Sequence, residues 1–278
     1  MELQSLPVGA CVRNESGSFC CYVAAQDHPG YSGTTLLSGQ VVLIGAFDAA
    51  ETDAAEEKHR HIYGNNDFAR SNLLQWLNGE GGDWFSPTHG ADAPPTDANI
   101  RHGARGYADR RGYLTDLPAA VREGLLESRV AVHCTDAAGK PGIRYVLTKV
   151  FLPSRTELGY GDDYGVPEGT PLPLLRDIRF RQAMLTEAAV KGYHGPWKPE
   201  FPMRPGGIWR YWLRSPHLRY PYLCRYVGEM GGLSFAPAYS EIVGCRPMMN
   251  VSGALPVRRG DGPGNVYFIE EATGYAAV

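Results

Sequence analysis

Short apolar runs separated by glycine, proline and polar turn residues dominate this chain. Weak alternation over residues 8–23, interrupted by the polar cluster 14–17, predicts two strands joined by a turn. The glycine-bounded apolar run 39–45 predicts a buried strand, and residues 129–152 predict two strands joined at 137–142. Further strands are expected at 211–214, 223–227, 233–235, 244–251 and 266–269.

Three segments have the spacing of amphipathic helices. The first ends at Asn78 and has its N-cap at Asn66 or Asp67. The second covers residues 117–128 and the third covers residues 178–191. Short strands, a few helices and long loops together predict an α+β fold.

Composition narrows the class of protein. The 278 residues include 34 glycines and 21 prolines, so we expect many turns and long loops. No linker divides the chain, and we expect one domain over 1–278, with 159–207 as a possible insertion. The net charge of −3 gives no reason to expect nucleic acid or a membrane as a partner.

Neither secretion nor disulfide bonding is indicated. The N-terminus lacks the basic and apolar regions of a signal peptide, and no segment has the apolar length of a membrane span. The cysteines are scattered without a C-x-x-C motif, and we interpret them as small buried residues, although Cys224 could be an exposed thiol. We therefore expect assembly in the cytoplasm and, if the protein leaves the cell, release as part of a particle.

Candidate metal and catalytic groups are weak. Asp162, Asp163 and Glu168 could bind calcium, but their spacing matches no calcium loop, and we interpret them as solvated turns. The other candidate ligands are Glu57, His59, His61, His89 and Asp92. They lack a third ligand at metal-binding spacing, so no metal or other cofactor is predicted. Without a Gly-x-Ser-x-Gly or phosphate-binding glycine motif, we predict that the chain is not an enzyme.

Two stiff blocks enclose a soft loop region near the C-terminus. The blocks are YWLRSP at 211–216 and GCRPMMNV at 244–251, and the residues between them are rich in Tyr, Ser, Gly and Ala. Rigid aromatic residues give contact area at low entropic cost, and small residues give adaptable hydrogen bonding, as in a binding surface. On pattern alone, two core strands and a surface loop explain the stretch better.

The two blocks resemble the C-terminal signature of a domain family found in phages and prophages of gut bacteria. That family is similar to the C-type-lectin-fold variable proteins diversified by retroelements, such as the phage major tropism determinant. Other similar segments are YGNN at 63–66, SNLLQWLN at 71–78, WF at 84–85, GYL at 112–114 and VFLPSRTEL at 150–158. Cys245 replaces the usual Val, and Met248-Met249 replaces Ala-Leu, but a core tolerates such apolar exchanges.

The resemblance implies a C-type-lectin-like fold whose region 211–251 binds a ligand. The implied ligand contacts are Leu218, Arg219, Tyr220, Tyr222, Leu223, Arg225, Tyr226, Ser234, Phe235, Ala236, Ala238, Tyr239 and Ser240. Tyr and Arg dominate binding hot spots in protein interfaces. Trp212, Arg214, Gly244, Arg246 and Pro247 would form a structural frame, in which arginine can donate to several loop carbonyls.

Retroelement diversification has a signature in residue types. Randomised adenines in Asn codons cannot produce Lys, Glu, Gln, Met or Trp. Of the 27 residues in 217–243, three (Glu229, Met230 and Glu241) fall outside the reachable set. Ordinary sequence would contain only a few more, so the count is compatible with diversification without establishing it.

These observations lead to one preferred function and two alternatives. The preferred hypothesis is a non-enzymatic receptor-binding protein of a phage virion whose face 217–243 recognises a bacterial surface protein or glycan, and such a function is compatible with a homotrimer. The first alternative is a structural or decoration component that contacts other virion proteins. The second is an enzyme acting on glycans, which would need two facing carboxylates in a cleft.

Overall fold

A computed structural model of the chain describes residues 1–49, 64–88, 92–100, 106–135, 140–162, 165–193, 203–240, 242–262 and 264–271. Its strands are β1 (Cys11–Arg13), β2 (Cys20–Gln26), β3 (Thr34–Ser38), β4 (Gln40–Val41), β5 (Leu43–Ile44), β6 (Leu125–Leu126), β7 (Ser128–Thr135), β8 (Pro141–Thr148), β9 (Val150–Phe151), β10 (Ala183–Leu185), β11 (Ile208–Trp209), β12 (Tyr211–Pro216), β13 (Leu223–Val227), β14 (Leu233–Pro237), β15 (Gly244–Cys245), β16 (Met248–Val251), β17 (Val257–Arg259) and β18 (Val266–Ile269). The α-helices are α1 (Asn72–Asn78), α2 (Ala119–Gly124) and α3 (Glu187–Lys191). Short 3-10 helices span Leu3–Ser5, Phe68–Arg70, Tyr113–Asp116, Pro173–Arg176 and Ile178–Arg181. The predicted α+β class is confirmed.

The strands of the described ranges form four sheets. The largest has the order β17-β18-β1-β2-β3-β16-β6, with β9 also paired to β16. A five-stranded sheet has the order β14-β13-β12-β15-β5, and a three-stranded sheet has the order β11-β10-β4. β7 and β8 form a separate antiparallel hairpin over their full length, as predicted for 129–152. β1 and β2 are antiparallel, which confirms the predicted strand pair in 8–23.

Two predicted strands are each divided between sheets. The run 39–45 forms β4 in the three-stranded sheet and β5 in the five-stranded sheet. Likewise, 244–251 forms β15 in the five-stranded sheet and β16 in the eight-stranded sheet, with Arg246 and Pro247 at the crossing. Apolar periodicity cannot distinguish one buried strand from two that change sheets, because both bury the same residues.

The first two predicted helices are shorter than expected. Asp67 accepts a hydrogen bond from the backbone N–H of Ala69 and so caps the 3-10 turn, whereas Ser71 caps α1. The second predicted helix ends at Gly124, because the next two residues leave it to form β6, which pairs with β16.

The helix predicted at 178–191 is wrong. Within it, Ala183–Leu185 is a strand, in which Ala183 and Leu185 are buried while Met184 is exposed. Met184 lies opposite Gln40 of β4 and Ile208 of β11. The pairing between two strands overrides the helix propensity of Ala, Met and Leu. Thr186 then caps α3 by accepting from the N–H of Ala189.

The sheets share one apolar core. Val12, Leu36 and Met248 from the eight-stranded sheet belong to the same buried cluster as Trp212 and Cys245 from the five-stranded sheet. This continuity fixes β12 and β15, which carry Trp212, Arg214 and Gly244 of the predicted structural frame, while Arg246 and Pro247 lie just after β15. Within the described ranges, no helix is both long enough and apolar enough to cross a membrane.

Candidate functional site

The predicted binding region forms the outer part of the five-stranded sheet. β12, β13 and β14 are antiparallel neighbours, with β14 at the edge. Residues 217–222, here called the 217–222 loop, connect β12 to β13. Because β12 is buried along its whole length, the sheet presents β13, β14 and this loop outward from a fixed strand.

A chain of ring contacts runs over this region. The ring of His217 lies 5.1 Å from that of Tyr220 and 5.2 Å from that of Phe235, and Tyr220 lies 6.0 Å from Tyr222. These four residues are called the aromatic face. Tyr220 is 47% exposed and Phe235 51%, and because both contact His217 they leave neighbouring apolar area for a partner.

The predicted contact residues fall into two groups. On β13 and β14, Arg225 lies opposite Phe235, and both reach the outer surface at least in part. The other accessible members are Leu218, Arg219, Tyr220, Tyr222, Tyr226 and Ser234. The remaining members are buried: Leu223, Ala236, Ala238, Tyr239 and Ser240. Leu223 and Ala236 lie on β13 and β14, whereas Ala238, Tyr239 and Ser240 follow β14, and all five pack inside the protein.

Tyr226 differs from the rest of the accessible group. Its ring meets Trp212 edge-on at 6.2 Å, and the guanidinium of Arg210 lies 5.8 Å from its centre. It therefore supports the sheet from the side of the frame, whereas Tyr220 and Phe235 face solvent. Cys224 is fully buried, which raises the pKa of its thiol, so it is not the exposed thiol that its loop position allowed.

The 217–222 loop is fixed by a residue distant in sequence. The side-chain amide of Asn66 donates to the carbonyl oxygens of His217, Tyr220 and Leu223 at 3.2, 3.0 and 3.0 Å. Its backbone N–H donates to the carbonyl of Pro221 at 3.0 Å. Asn66 was predicted as a possible helix cap, but it is an anchor for the loop instead.

Arg214 is the centre of the structural frame. It is fully buried on β12 and contacts both carboxylate oxygens of Glu157, at 2.7 and 2.9 Å. It also donates to the carbonyls of Ala131, Leu152 and Glu168 at 2.8, 2.7 and 3.0 Å. Charge-assisted bonds to a planar guanidinium fix direction as well as distance, so three separate segments are tied to β12.

A second buried cluster continues from Arg214. The carboxylate of Glu168 accepts from the backbone N–H of His133 at 2.8 Å and from the hydroxyl of Ser215. The imidazole of His133 lies between that carboxylate, 3.4 Å away, and the carbonyl of Val166. Burial alone would raise the pKa of Glu168, but His133 and then Arg214 outweigh it, and the pKa is lowered. Glu168 is therefore part of this buried cluster. Asp162, the other predicted calcium ligand among the described residues, is exposed.

The other frame residues lie at the crossing between sheets. Arg246 is buried and donates to the carbonyls of Ser38 and Phe180 at 2.6 and 2.8 Å. A Cβ on Gly244 would lie 2.2 Å from Cγ1 of Val41, so the close contact requires glycine. Trp212 donates from its indole to the carbonyl of Gly45 at 2.9 Å, and Pro247 is buried beside Arg246.

A small polar pocket adjoins the aromatic face. It has a volume of about 210 Å³ and lies between the segment that precedes α1, the β7–β8 hairpin and the 217–222 loop. Asp67, Arg70, Arg144 and His133 line it, and His217 belongs both to the pocket and to the aromatic face. Arg144 donates to the carboxylate of Asp67 at 2.8 Å, and Arg70 lies 3.9 Å from the same carboxylate. The pocket therefore has more cationic than anionic groups.

Further positive charge surrounds His217. Its pKa is lowered by partial burial and then by the nearby charges of Arg225 and Arg219. The backbone N–H of Arg219 donates to Nδ1 of His217 at 3.3 Å. Burial, followed by the charge of Arg225, also lowers the pKa of Arg155. Positive charge is thus concentrated where the loop meets β13.

A larger cavity of about 960 Å³ lies elsewhere, lined among others by Cys20, Trp76, Arg111, Asp116 and Lys191. It shares no described lining residue with the polar pocket or with the aromatic face. Its volume is in the range of ligand pockets, and its charged groups are of both signs, with Lys191 paired to Glu187 at 2.6 Å.

The remaining candidate ligands give no metal cluster in the described part of the chain. Glu57, His59, His61, His89 and Asp163 lie outside the described residues. Asp92 accepts from the amide of Asn72 at 2.9 Å and from the backbone N–H of Thr88 at 2.7 Å. Its carboxylate thus holds Asn72, the first residue of α1, in place.

The anchoring groups were missed in the sequence because their partners are remote. Asn66 is separated from its acceptors by more than 150 positions, and Glu157 lies 57 positions before Arg214. Comparison with curated proteins and with solved structures gives no match. One family model, described as a domain of unknown function (DUF6273), matches residues 32–253. Because this match covers most of the chain, including the frame and the aromatic face, the protein belongs to the DUF6273 family.

Proposed function

We propose that this protein is a non-enzymatic recognition module that binds a component of a bacterial surface through the accessible residues of 217–243. In this proposal the fold is C-type-lectin-like, the gene is carried by a phage and diversified by a retroelement, and the protein is displayed on the virion. The motif resemblance over 63–158 and 211–251 supports the phage origin, and the mixed α+β architecture is compatible with the proposed fold.

One observation carries the proposal: exposed aromatic residues lie on the 217–222 loop and on the nearby strand β14, and buried polar groups fix the loop in place. Tyr220 and Phe235 are half exposed, while Asn66 binds three carbonyls of the loop segment and Arg214 is fully buried beneath it. A rigid loop loses little entropy on binding, so its exposed rings can contribute contact energy to a partner. Replacing those rings would leave the anchors unchanged.

The proposal is tested by binding of labelled protein to envelopes from a panel of gut bacteria. Tyr220→Ala and Phe235→Ala each remove an exposed ring, and we expect at least about tenfold weaker binding, as for hot-spot residues. Ile178→Ala is the matched control, since Ile178 is 58% exposed and lies in the 3-10 helix Ile178–Arg181, outside 217–243. It should bind like the parent protein.

Thermal unfolding of each variant shows whether the fold is retained. Full binding by both aromatic variants would contradict the proposal. If the parent binds no envelope but forms a concentration-dependent assembly lost on Phe235→Ala, the structural-component alternative replaces it. Light scattering in the same series tests the predicted homotrimer.

A further inference from the structure

The size of the polar pocket restricts what can enter it. Its volume of about 210 Å³ is below the roughly 300–1,000 Å³ typical of pockets for drug-sized ligands. One ring-sized polar group fills such a space, whereas an extended peptide or a lipid chain does not. Since His217 and Leu218 form one wall, a group in the pocket lies beside the aromatic face.

The charge of the pocket restricts the ligand further. The guanidinium groups of Arg70 and Arg144 share one carboxylate, that of Asp67, which also accepts the N–H of Ala69 at 3.1 Å. The two arginine side chains are 48% and 40% exposed, and a guanidinium has five donors. A second anion can therefore bind without displacing Asp67, and it would compensate the remaining positive charge.

The neighbouring aromatic face suits a ring that carries both C–H and O–H groups. Tyr220 and Phe235 expose ring surface on either side of His217. The C–H face of a sugar can pack on such rings by dispersion and burial of apolar area, while its hydroxyl groups bond to polar side chains. A bare acidic side chain of a protein would satisfy the arginines but would leave the rest of the pocket unfilled.

We infer that the polar pocket binds a single acidic sugar residue, bearing a carboxylate or a phosphate, of an anionic surface polysaccharide. The inference rests on the proposed recognition function and specifies its ligand. Arg70 and Arg144 contact the acid group, and the aromatic face contacts the adjoining sugar in the polymer.

Saturation-transfer NMR and calorimetry with defined sugars test the inference. The probes are galacturonate, galactose 6-phosphate, neutral galactose and N-acetylglutamate. We expect binding of either or both acidic sugars, at least about tenfold tighter than galactose, since ionic hydrogen bonds are stronger than neutral ones. The preferred acidic sugar identifies the acid group. Raising the salt concentration should weaken acidic-sugar binding at these partly exposed arginines.

Substitutions of the two pocket arginines locate the site. Arg70→Gln with Arg144→Gln should weaken acidic-sugar binding at least about tenfold, with Arg144→Lys retaining part of it. Arg179→Gln, which alters an exposed arginine paired with Asp177, should have no effect. Because both pocket arginines are near the surface, the variants are expected to fold; a circular dichroism melt checks this, and Arg144→Gln alone serves if the double variant unfolds.

Each other outcome overturns the inference. Equal binding of galactose removes the role of the acid group, and equal binding of N-acetylglutamate indicates a site for acidic peptide. Absence of binding for both acidic sugars excludes the assigned ligand. If envelopes are still bound and Tyr220→Ala abolishes that binding, only the ligand assignment has failed. If envelope binding is also absent, the proposed function has failed.

Discussion

Arg214 and Glu157 form a two-point ion pair, at 2.7 and 2.9 Å, in which neither side chain has any exposed surface. Tyr31 donates to the same carboxylate, and backbone carbonyls accept the other guanidinium donors. The pair therefore joins β12 to the segment between β9 and β10, and the bond to the carbonyl of Ala131 adds a contact with β7. The loop that follows β12 depends on this connection for its position.

Removing one member of the pair should destabilise the whole fold. Glu157→Gln leaves Arg214 buried without its counter-charge, for which the expected loss is about 3–5 kcal/mol of unfolding free energy. Urea denaturation followed by tryptophan fluorescence measures it. Glu15→Gln is the control, because it breaks an exposed pair with Arg258 and should cost less than about 1 kcal/mol. Similar losses in both variants would show that burial of the Arg214 pair is irrelevant.

Asn66 should control the mobility of the 217–222 loop. Asn66→Ala removes the side-chain donor to the carbonyls of His217, Tyr220 and Leu223, each of which keeps one backbone donor, so the expected loss is about 0.5–1.5 kcal/mol per hydrogen bond. Hydrogen exchange read by mass spectrometry should become faster in peptides covering 217–223. Asn78→Ala is the matched control, because Asn78 bonds Leu74 and Val150. The anchoring role would be contradicted if exchange at 217–223 became faster in Asn78→Ala, or if its rate did not change in Asn66→Ala.

The His133–Glu168 pair should make stability depend on pH in two directions. Burial would lower the pKa of His133, but Glu168 outweighs it and the pKa is raised above 6.5. This contribution is complete below about 6.5 and is lost as pH rises through the folded value. The pKa of Glu168 is lowered below 4.5, so its contribution is present above 4.5 and is lost as pH falls through the folded value.

The pair is therefore fully stabilising between about 4.5 and 6.5. Urea denaturation between about pH 3 and 9 measures the unfolding free energy on both sides of the ordinary pKa values of Glu and His. The parent protein should be most stabilised by the pair within this window. Glu168→Gln removes the partner charge, so the loss of stability above the window should disappear or shrink. An unchanged pH profile in this variant would exclude the pair as its source.

Gly244 should tolerate no side chain. Gly244→Ala places a methyl group against buried Val41 and near the carbonyl of Leu43, at 2.2 and 3.0 Å before relaxation. Overpacking of this kind costs about 1–3 kcal/mol. Gly142→Ala on β8 is the control, because nothing lies within 4 Å of its added Cβ, and its stability should change by less than about 1 kcal/mol. Thermal melts of both variants make the comparison, and equal melting temperatures would refute the close contact.

The local sequence pattern was sufficient to predict those elements that are determined by their own residues. β13 and β18 lie at the predicted 223–227 and 266–269, because each is a short apolar run bounded by turn residues. The helix predicted at 178–191 failed because β4 and β11, both distant in sequence, impose an extended conformation on Ala183–Leu185. No local signal contains that pairing.

In the candidate site, too, some features could be predicted from local sequence and others depend on remote contacts. The exposure of Tyr220 and Phe235 agrees with a loop rich in aromatic and small residues. The burial of Ala238 and Ser240 could not be predicted from composition, because it depends on the path that the chain takes after β14. Glu168 lies in a stretch that reads as a solvated loop, yet it is fully buried because His133 and Ser215 come from other strands.

The central claim is that a fixed frame presents a changeable face, and sequencing of this gene in natural populations of its carrier tests it most directly. The account predicts replacements at adenine positions of codons within 217–243, concentrated at accessible residues such as Tyr220, Tyr222, Arg225 and Phe235. Asn66, Arg214 and Arg246 should remain constant. A spectrum dominated by silent changes and spread evenly along the gene would contradict the account, and the structural-component function would then be preferred.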